Sequence, residues 1–303
     1  MHPLRKELRA SEHKTYHVHD EPTSADDRIN ELTKSLLEEV RSDKFRIPPL
    51  PKTVVELTRL ANTPTSDARA AVRMVEREPQ FAAKVLRVAS SAAFGLGQVS
   101  DLKQAVVRIG LLGLRDIAYA LTLGQVFRCP ALETHMKAEL RHGYVTACAS
   151  ALVARAFGLD AQHGFLCGLL HDVGRLALLS SLAQRGEKDK TWLHPQFVRQ
   201  TLTSLHEEVG YLVLSRWGLH HIKNVARAHH NPEGATEDAT MTLAVAIADL
   251  ADDIPAKTAD HRVEELNLVP FVAHSGLTEA QIKAVAKVVD DAKNDPAIAA
   301  MVG

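Results

Sequence analysis

Cysteine is scarce in this chain, and its placement gives no covalent framework. The 303 residues contain 3 cysteines, at Cys129, Cys148 and Cys167, and no two of them form a CxxC pair. This usage excludes a small disulfide-stapled scaffold. We expect the three thiols to be reduced and mostly buried.

An excess of one charge is also missing. Lys and Arg number 36 against 37 Asp and Glu, which gives a formal net charge of -1. This balance argues against a dedicated nucleic-acid binder, because such proteins gain affinity from a basic excess. No nucleic-acid partner is therefore expected.

Long apolar runs form a third absence. The sequence has no run that we interpret as long enough to cross a bilayer, and the segment Met1–Lys14 has no signal-peptide apolar core. These features predict a cytoplasmic protein without a membrane partner.

What the chain does have is histidine. It contains 16 histidines, and 46% of its residues are hydrophobic, which suits a globular protein with a sizeable core. The polar leader over residues 1–27 holds His2, His13, His17 and His19. A metal-binding tail is possible there, but a solvated leader is favoured because a flexible segment rarely fixes ligand geometry.

From Arg28 onward the apolar spacing is helical almost throughout, with long helices predicted near 138–157 and 164–183. The prolines of the segment Ile47–Pro51 exclude a helix there and predict an extended arm anchored by Ile47 and Leu50. Glycines predict either a close helix contact or a helix break near Gly110–Gly113. The fold class is therefore all-α, a multi-helix bundle in one compact domain with two lobes as a variant. The predicted divisions are a polar leader and first helix over 1–45, a main domain over 46–250, and a helical extension over 251–303.

The sharpest local motif is GLLHDVGR, from Gly168 to Arg175. Its His171-Asp172 doublet combines an imidazole and a carboxylate, a donor mixture that suits zinc, iron or manganese. The dipeptide alone is weak evidence, so the positions of the other histidines decide its weight.

Several further His and Asp residues lie in apolar helical contexts. Each has a simpler interpretation, as a hydrogen-bonded core histidine, a charge at a helix C-terminus, or an aspartate paired with arginine. Shared metal ligation explains their convergence better than separate accidents. The candidate metal ligands are His142, His171, Asp172, His206, His229, His230 and Asp249.

A wider set of motifs resembles a known family. These motifs are IPPLP at Ile47–Pro51, VASSAAFG at Val88–Gly95, QAV at Gln104–Val106 leading to Ile109–Leu111, GLLHDVGR at Gly168–Arg175, LHEEVG at Leu205–Gly210, RWGL at Arg216–Leu219 and HHNP at His229–Pro232. Together they resemble the HD superfamily of metal-dependent phosphohydrolases, and more closely its HDOD branch. Ser90 stands where that branch usually has Asn.

The resemblance implies an HD-type fold and two candidate functions. HDOD domains are helical modules of bacterial signalling proteins, and many have lost metal ligands, whereas this chain matches catalytic relatives at every candidate ligand. It departs from the cyclic-di-GMP phosphodiesterase branch at Arg175, where that branch has Lys. The sequence after His229-His230 also lacks the Gly-Tyr-Pro motif.

Our leading hypothesis is a regulatory module with a signalling protein partner and a divalent metal site holding one or two Fe, Mn or Zn ions. The alternative is a metal-dependent phosphohydrolase of a nucleotide or phosphodiester, with Asp172 and Arg175 as catalytic residues. Trp217 and Phe165 are expected in the core beside the site.

Overall fold

The computed structural model describes residues 24–42, 44–63, 67–90, 99, 101–256 and 258–302. Every regular element in those residues is a helix, so the all-α prediction is confirmed. The predicted leader falls outside the described residues except at its end, since the first helix begins at Ser24. The stretch Ser91–Gly95 of the VASSAAFG motif also lies outside them.

The N-terminal half consists of short helices around one long helix. The helices are α1 (Ser24–Arg41), α2 (Lys52–Ala61), α3 (Ala68–Glu76), α4 (Pro79–Ala89) and α5 (Leu102–Val126). Helices α2, α3 and α4 pack on α5, while α1 packs on a helix of the C-terminal half.

The predicted break in α5 is confirmed at Gly110. This residue has φ 71° and ψ -179°, inside what is otherwise one helical run. A positive φ costs an L-residue with a side chain about 1 kcal/mol or more, which explains glycine here. Asp101 caps the start of α5, since its carboxylate accepts a hydrogen bond from the Gln104 backbone N–H at 2.7 Å.

The C-terminal half holds the remaining helices. They are α6 (Glu133–Ala156), α7 (Ala161–Leu170), α8 (Val173–Gly186), α9 (Pro195–Arg216), α10 (Lys223–Ala228), α11 (Ala239–Asp253), α12 (Ala259–Asn267), α13 (Pro270–Ala273), α14 (Glu279–Lys293) and α15 (Ala297–Val302), with 3-10 turns at Pro130–Leu132, Lys190–Leu193 and Pro232–Gly234. Helix α6 is central, since α7, α11, α14 and α15 all pack against it. The three cysteines are free and buried, as expected.

The expected helix over 164–183 is in fact two helices, α7 and α8, separated by a turn at His171-Asp172. Glycines allow this turn to lie close to its neighbours. A Cβ on Gly174 would overlap the backbone oxygen of His206 in α9, and a Cβ on Gly168 would lie 2.8 Å from the Cα of Ala147 in α6. The turn is therefore pressed between two other helices.

The α7–α8 segment also corrects one expectation about apolar runs. Ala161–Gly186 spans 26 residues, and the mean hydropathy of its most apolar 18-residue window is 1.3. By length and composition the segment is therefore apolar enough for a membrane span. However, 89% of its most apolar window is buried inside the fold. Such burial is typical of core helices in soluble proteins.

The proline arm is ordered and anchored, as predicted. Ile47 and Leu50 are partly buried and pack on the hydrophobic core. The Trp217 indole N–H donates to the Pro48 carbonyl at 3.0 Å, and Arg216 donates to the Phe45 carbonyl at 2.8 Å.

The two aromatic residues expected in the core differ in burial. Phe165 is a core residue, 6% exposed. Trp217 is only partly buried; it packs on Phe127 at 5.6 Å between ring centroids and helps to hold the arm.

Replacing Ile47 and Leu50 together by Ser should lower the free energy of unfolding by about 1–3 kcal/mol, because two partly buried aliphatic side chains lose their apolar contacts. A thermal melt followed by circular dichroism measures the change. As a control, Val55→Ser and Val107→Ser alter side chains that are 51% and 83% exposed, so their melting temperatures should stay close to wild type. An unchanged melting temperature in the arm variant would show that the arm adds no stability.

Candidate metal centre

The structure brings all the candidate metal ligands to one place in the C-terminal half. His142 comes from α6, His206 from α9 and Asp249 from α11. The His171-Asp172 turn and the pair His229-His230, which follows α10, complete the set. The ligand atoms form two groups, within each of which they lie no more than 4.8 Å apart.

The first group contains Asp172, His206, His229 and His230. Asp172 Oδ1 lies 3.5 Å from His206 Nε2 and 3.4 Å from His229 Nε2. His206 Nε2 lies 2.9 Å from His230 Nε2. Ligand atoms bound about 2.1 Å from one ion, at angles of 90–110°, are about 3.0–3.4 Å apart, so this spacing suits a shared ion.

The second group contains His142, His171 and Asp249. His142 Nε2 lies 3.3 Å from His171 Nε2 and 3.3 Å from Asp249 Oδ1. His171 Nε2 lies 3.6 Å from the same carboxylate oxygen. Two imidazoles and one carboxylate leave coordination positions for water or a substrate oxygen.

Asp172 connects the two groups. While its Oδ1 faces His206 and His229, its Oδ2 lies 3.6 Å from His171 Nε2 and 3.9 Å from His142 Nε2. One carboxylate therefore presents an oxygen to each group, so that Asp172 would be a ligand common to both if each group held an ion.

Hydrogen bonds at the far side of the rings fix the tautomers. The Nδ1 atoms of His171, His206 and His229 lie 2.7, 2.7 and 2.9 Å from the backbone carbonyls of Gly168, Leu202 and Ala226. A carbonyl only accepts, so each Nδ1 carries the proton and donates it. In the neutral ring, Nε2 then directs a lone pair into the site, as metal ligation requires.

Two buried polar atoms at the centre test whether a metal suits this site. Among the described residues, Asp172 Oδ1 and His229 Nε2 are buried and have no hydrogen-bond partner. A buried polar atom left unsatisfied costs about 1–3 kcal/mol. A divalent cation would satisfy both atoms, and the mixed imidazole and carboxylate donors suit zinc, iron or manganese. The residues therefore fit the metal.

The electrostatics of the carboxylates point the same way. Burial alone would raise the pKa of Asp172, but the surrounding imidazoles of His171, His206 and His229 hold that pKa well below its usual range. Asp249 is also buried, and the neighbouring imidazoles of His142 and His171 likewise hold its pKa well below its usual range. Both aspartates are therefore ionised ligands.

The histidines differ in their protonation. Burial lowers the pKa of His206 to about 4, and burial together with the neighbouring His229 lowers the pKa of His230 well below its usual value. His142 is also desolvated, but its hydrogen bonds with Asp249 and Asp252 raise its pKa well above the usual value. His206 and His230 are therefore neutral in the folded protein at pH 7.

A cavity of about 250 Å³ opens onto the site. Five candidate ligands line it, and five further residues complete its wall. The ligands are His142, Asp172, His206, His230 and Asp249, and the further residues are Ala138, Glu139, Arg175, Thr203 and Asp253.

Arg175 lies at this cavity, as its predicted catalytic role requires. Its Nε and Nη2 bind the Glu139 carboxylate at 2.7 and 2.9 Å. One edge of the guanidinium is thus held in place, and Nη1 lies on the other edge.

Sequence reasoning missed Glu139, Asp252 and Asp253. Glu139 lies one helical turn before His142 on α6, and Asp252 lies one turn after Asp249 on α11. A spacing of three residues from a predicted ligand is the signal that could have found both, since such residues share a helix face. Asp253, four residues after Asp249, shares that face as well.

Comparison with known proteins agrees with the fold. A model of the HDOD domain family matches residues 47–232. An uncharacterised protein of Treponema pallidum (strain Nichols) is 28% identical over 215 residues, which cover 67% of this chain and 42% of that relative. The chain thus spans less than half the length of this relative.

Solved structures show the same architecture. A putative metal-dependent phosphohydrolase of Shewanella amazonensis SB2B superposes with a TM-score of 0.65 at 18% identity, covering 86% of this chain and 99% of that one. A putative signal transduction protein of Marinobacter aquaeolei VT8 superposes with a TM-score of 0.52 at 17% identity, covering 86% of this chain and 66% of that one. At these identities the likeness shows the fold alone.

The burial of His206 predicts acid sensitivity of the metal-free protein. In the unfolded chain this imidazole takes up a proton near pH 6.5, but in the folded chain it does so only near pH 4. The unfolded state therefore binds more protons between these values, so stability present above pH 6.5 is lost as the pH falls towards 4. The loss from this group is at most ~3 kcal/mol.

Urea unfolding of chelator-treated protein at pH 7.5, 6.0 and 5.0 measures this effect. His206→Gln cannot titrate, so its stability should fall less than that of wild type over the same range. His142 and His229, whose raised pKa values act in the opposite direction, and His230, whose lowered pKa acts in the same direction as that of His206, are present in both proteins. Parallel curves for the two proteins would contradict the prediction.

Proposed function

Because this chain belongs to the HDOD domain family, we propose that it is a signal-transduction module whose HD-type site binds two divalent metal ions. The observation that carries this proposal is the shared carboxylate of Asp172. It faces His206 and His229 with one oxygen, and His142 and His171 with the other. A buried polar cluster that had lost its metal-binding role would not need to divide these residues into two groups.

The donor set selects the class of metal. Five imidazoles of intermediate softness, combined with two hard carboxylates, suit zinc, iron or manganese rather than calcium, which prefers oxygen ligands. We therefore propose zinc, iron or manganese ions, one in each ligand group.

The signalling role draws its support from the family and from the resemblance to the Marinobacter signal transduction protein. In this proposal the protein works in the cytoplasm, acts on a signalling protein partner, and binds neither nucleic acid nor membrane. The balanced charge of the sequence is consistent with that environment.

The cavity beside the site favours a second candidate function, metal-dependent phosphohydrolysis of a nucleotide or phosphodiester. A divalent metal ion lowers the pKa of bound water and polarises a phosphoryl oxygen. Arg175 would bind a phosphate of the substrate through the guanidinium edge that includes Nη1, while Glu139 holds the opposite edge. Asp172 would fix the positions of the two ligand groups relative to each other, because it presents one oxygen to each of them. This is the catalytic role that we assign to Asp172.

Asp172→Ala should lose both metal ions, since it removes the ligand common to the two groups. Asp249→Ala should lose only one, because Asp249 belongs to the second group. Mass spectrometry of metal content on protein purified without chelator gives the number of ions per chain. Far-ultraviolet circular dichroism should remain helical in both variants.

Asp160→Ala is the matched control for these variants. Both aspartates stand at the start of a helix, since Asp172 is the N-cap residue of α8 and Asp160 is the N-cap residue of α7. Asp160 accepts hydrogen bonds from the first turn of α7. The control removes an aspartate at a helix start without touching the ligands, so metal content should match wild type. Wild-type protein without metal, or Asp172→Ala with full metal, would falsify the proposed site.

If the site hydrolyses phosphodiesters, Arg175→Lys should reduce kcat/KM for bis(p-nitrophenyl) phosphate about tenfold or more, because lysine lacks the second edge that binds phosphate. Metal content should not change. Arg199→Lys, at an exposed arginine, is the control and should retain full activity. Metal-loaded wild type without turnover of phosphodiesters or nucleotides would leave the signalling role as the function of the site.

A further inference from the structure

A hydrogen-bonded chain of side chains runs from α14 into the metal centre. Lys293 Nζ lies 2.7 Å from Asp252 Oδ1 and also donates to the Asp252 backbone carbonyl at 3.3 Å. The other oxygen of that carboxylate, Oδ2, lies 2.8 Å from His142 Nδ1. His142 Nε2 then faces His171 and Asp249.

This arrangement distinguishes His142 from His171, His206 and His229. Those three rings donate Nδ1–H to backbone carbonyls of their own helices, so the local helical structure orients them. His142 depends instead on a side chain of another helix, α11, which is itself held from α14. Outer hydrogen-bond partners of this kind set the tautomer and orientation of a ligating histidine.

We propose that Lys293 is a positioning residue of the metal centre, acting through Asp252 on His142. The inference rests on the proposed metal binding. By holding both the carboxylate and the backbone of Asp252, Lys293 fixes the oxygen that accepts the His142 Nδ1 proton. The Nε2 lone pair of His142 is then directed at the second ligand group. Helix α14 is therefore part of the metal centre, although it lies beyond the residues 47–232 that match the family model.

The alternative is that Lys293 only attaches α14 to the rest of the fold. The structure offers a control for that role, because Arg141 Nη2 donates to the Lys293 backbone carbonyl at 2.9 Å. This bond also joins α6 to α14, but it does not touch Asp252. Arg141→Met therefore loosens the attachment of α14 and leaves the chain to His142 intact.

The test is a chelator-buffered titration of full-length, metal-stripped protein with Zn²⁺, with thermal melts of the same samples. Lys293→Met should weaken Zn²⁺ binding at one of the two sites about tenfold, and Asp252→Asn should weaken it about 10–100-fold. Lys293→Arg, which keeps a cationic donor, should recover most of the affinity. Arg141→Met should bind Zn²⁺ as wild type does, even if its melting temperature falls.

A double variant separates the two roles further. If Lys293 acts through Asp252, adding Lys293→Met to Asp252→Asn should weaken Zn²⁺ binding no further. Unchanged affinity in Lys293→Met, equal losses in Lys293→Met and Arg141→Met, or additive losses in the double variant would each overturn the inference while the proposed metal site stands. Wild-type protein that takes up no Zn²⁺ would overturn both.

Discussion

The burial of the Asp172 carboxylate is the constraint on which the site depends. An ionised carboxylate inside a protein needs compensating charge or hydrogen bonds, because its desolvation costs several kcal/mol. Here the compensation comes from histidines on three other elements: α6, α9 and the segment after α10. The positions of these elements around the His171-Asp172 turn are thus tied to one charged group. The same requirement explains why a divalent cation suits the centre so well.

Close backbone approach makes this concentration of ligands possible. Gly168 and Gly174 flank the His-Asp doublet, and at both positions a Cβ would collide with a neighbouring helix. Without side chains there, α7 lies against α6 and α8 lies against α9. The GLLHDVGR motif therefore combines ligands with the glycines that allow the ligands of other helices to reach them.

The centre also extends beyond the part of the chain that matches the HDOD family model. Asp249 and Asp252 lie on α11, and Lys293 lies on α14, all after residue 232. The family-matching region supplies the imidazoles and Asp172, whereas the following helices supply Asp249 and the outer hydrogen bonds of His142. Loss of the C-terminal helices would therefore affect metal binding as well as stability.

The sequence by itself determined the helical class, the arm at Ile47–Pro51, the break at Gly110 and the set of candidate ligands. These features follow from local rules: apolar periodicity, the geometry of proline and glycine, and the chemistry of donor atoms. Their shared placement in apolar helical contexts joined the ligands into one predicted site, and the family resemblance pointed to the same residues.

Only the tertiary structure decided how those ligands are arranged. The division into two groups, the central place of Asp172 and the break between α7 and α8 depend on contacts between residues far apart in the chain, which periodicity does not encode. The partner Lys293 is a charged residue on a helix, and its spacing resembles that of ordinary solvated residues. Lys293 lies 41 residues from Asp252 in sequence, so only the packing of α14 beside α11 and α6 brings it to the metal centre.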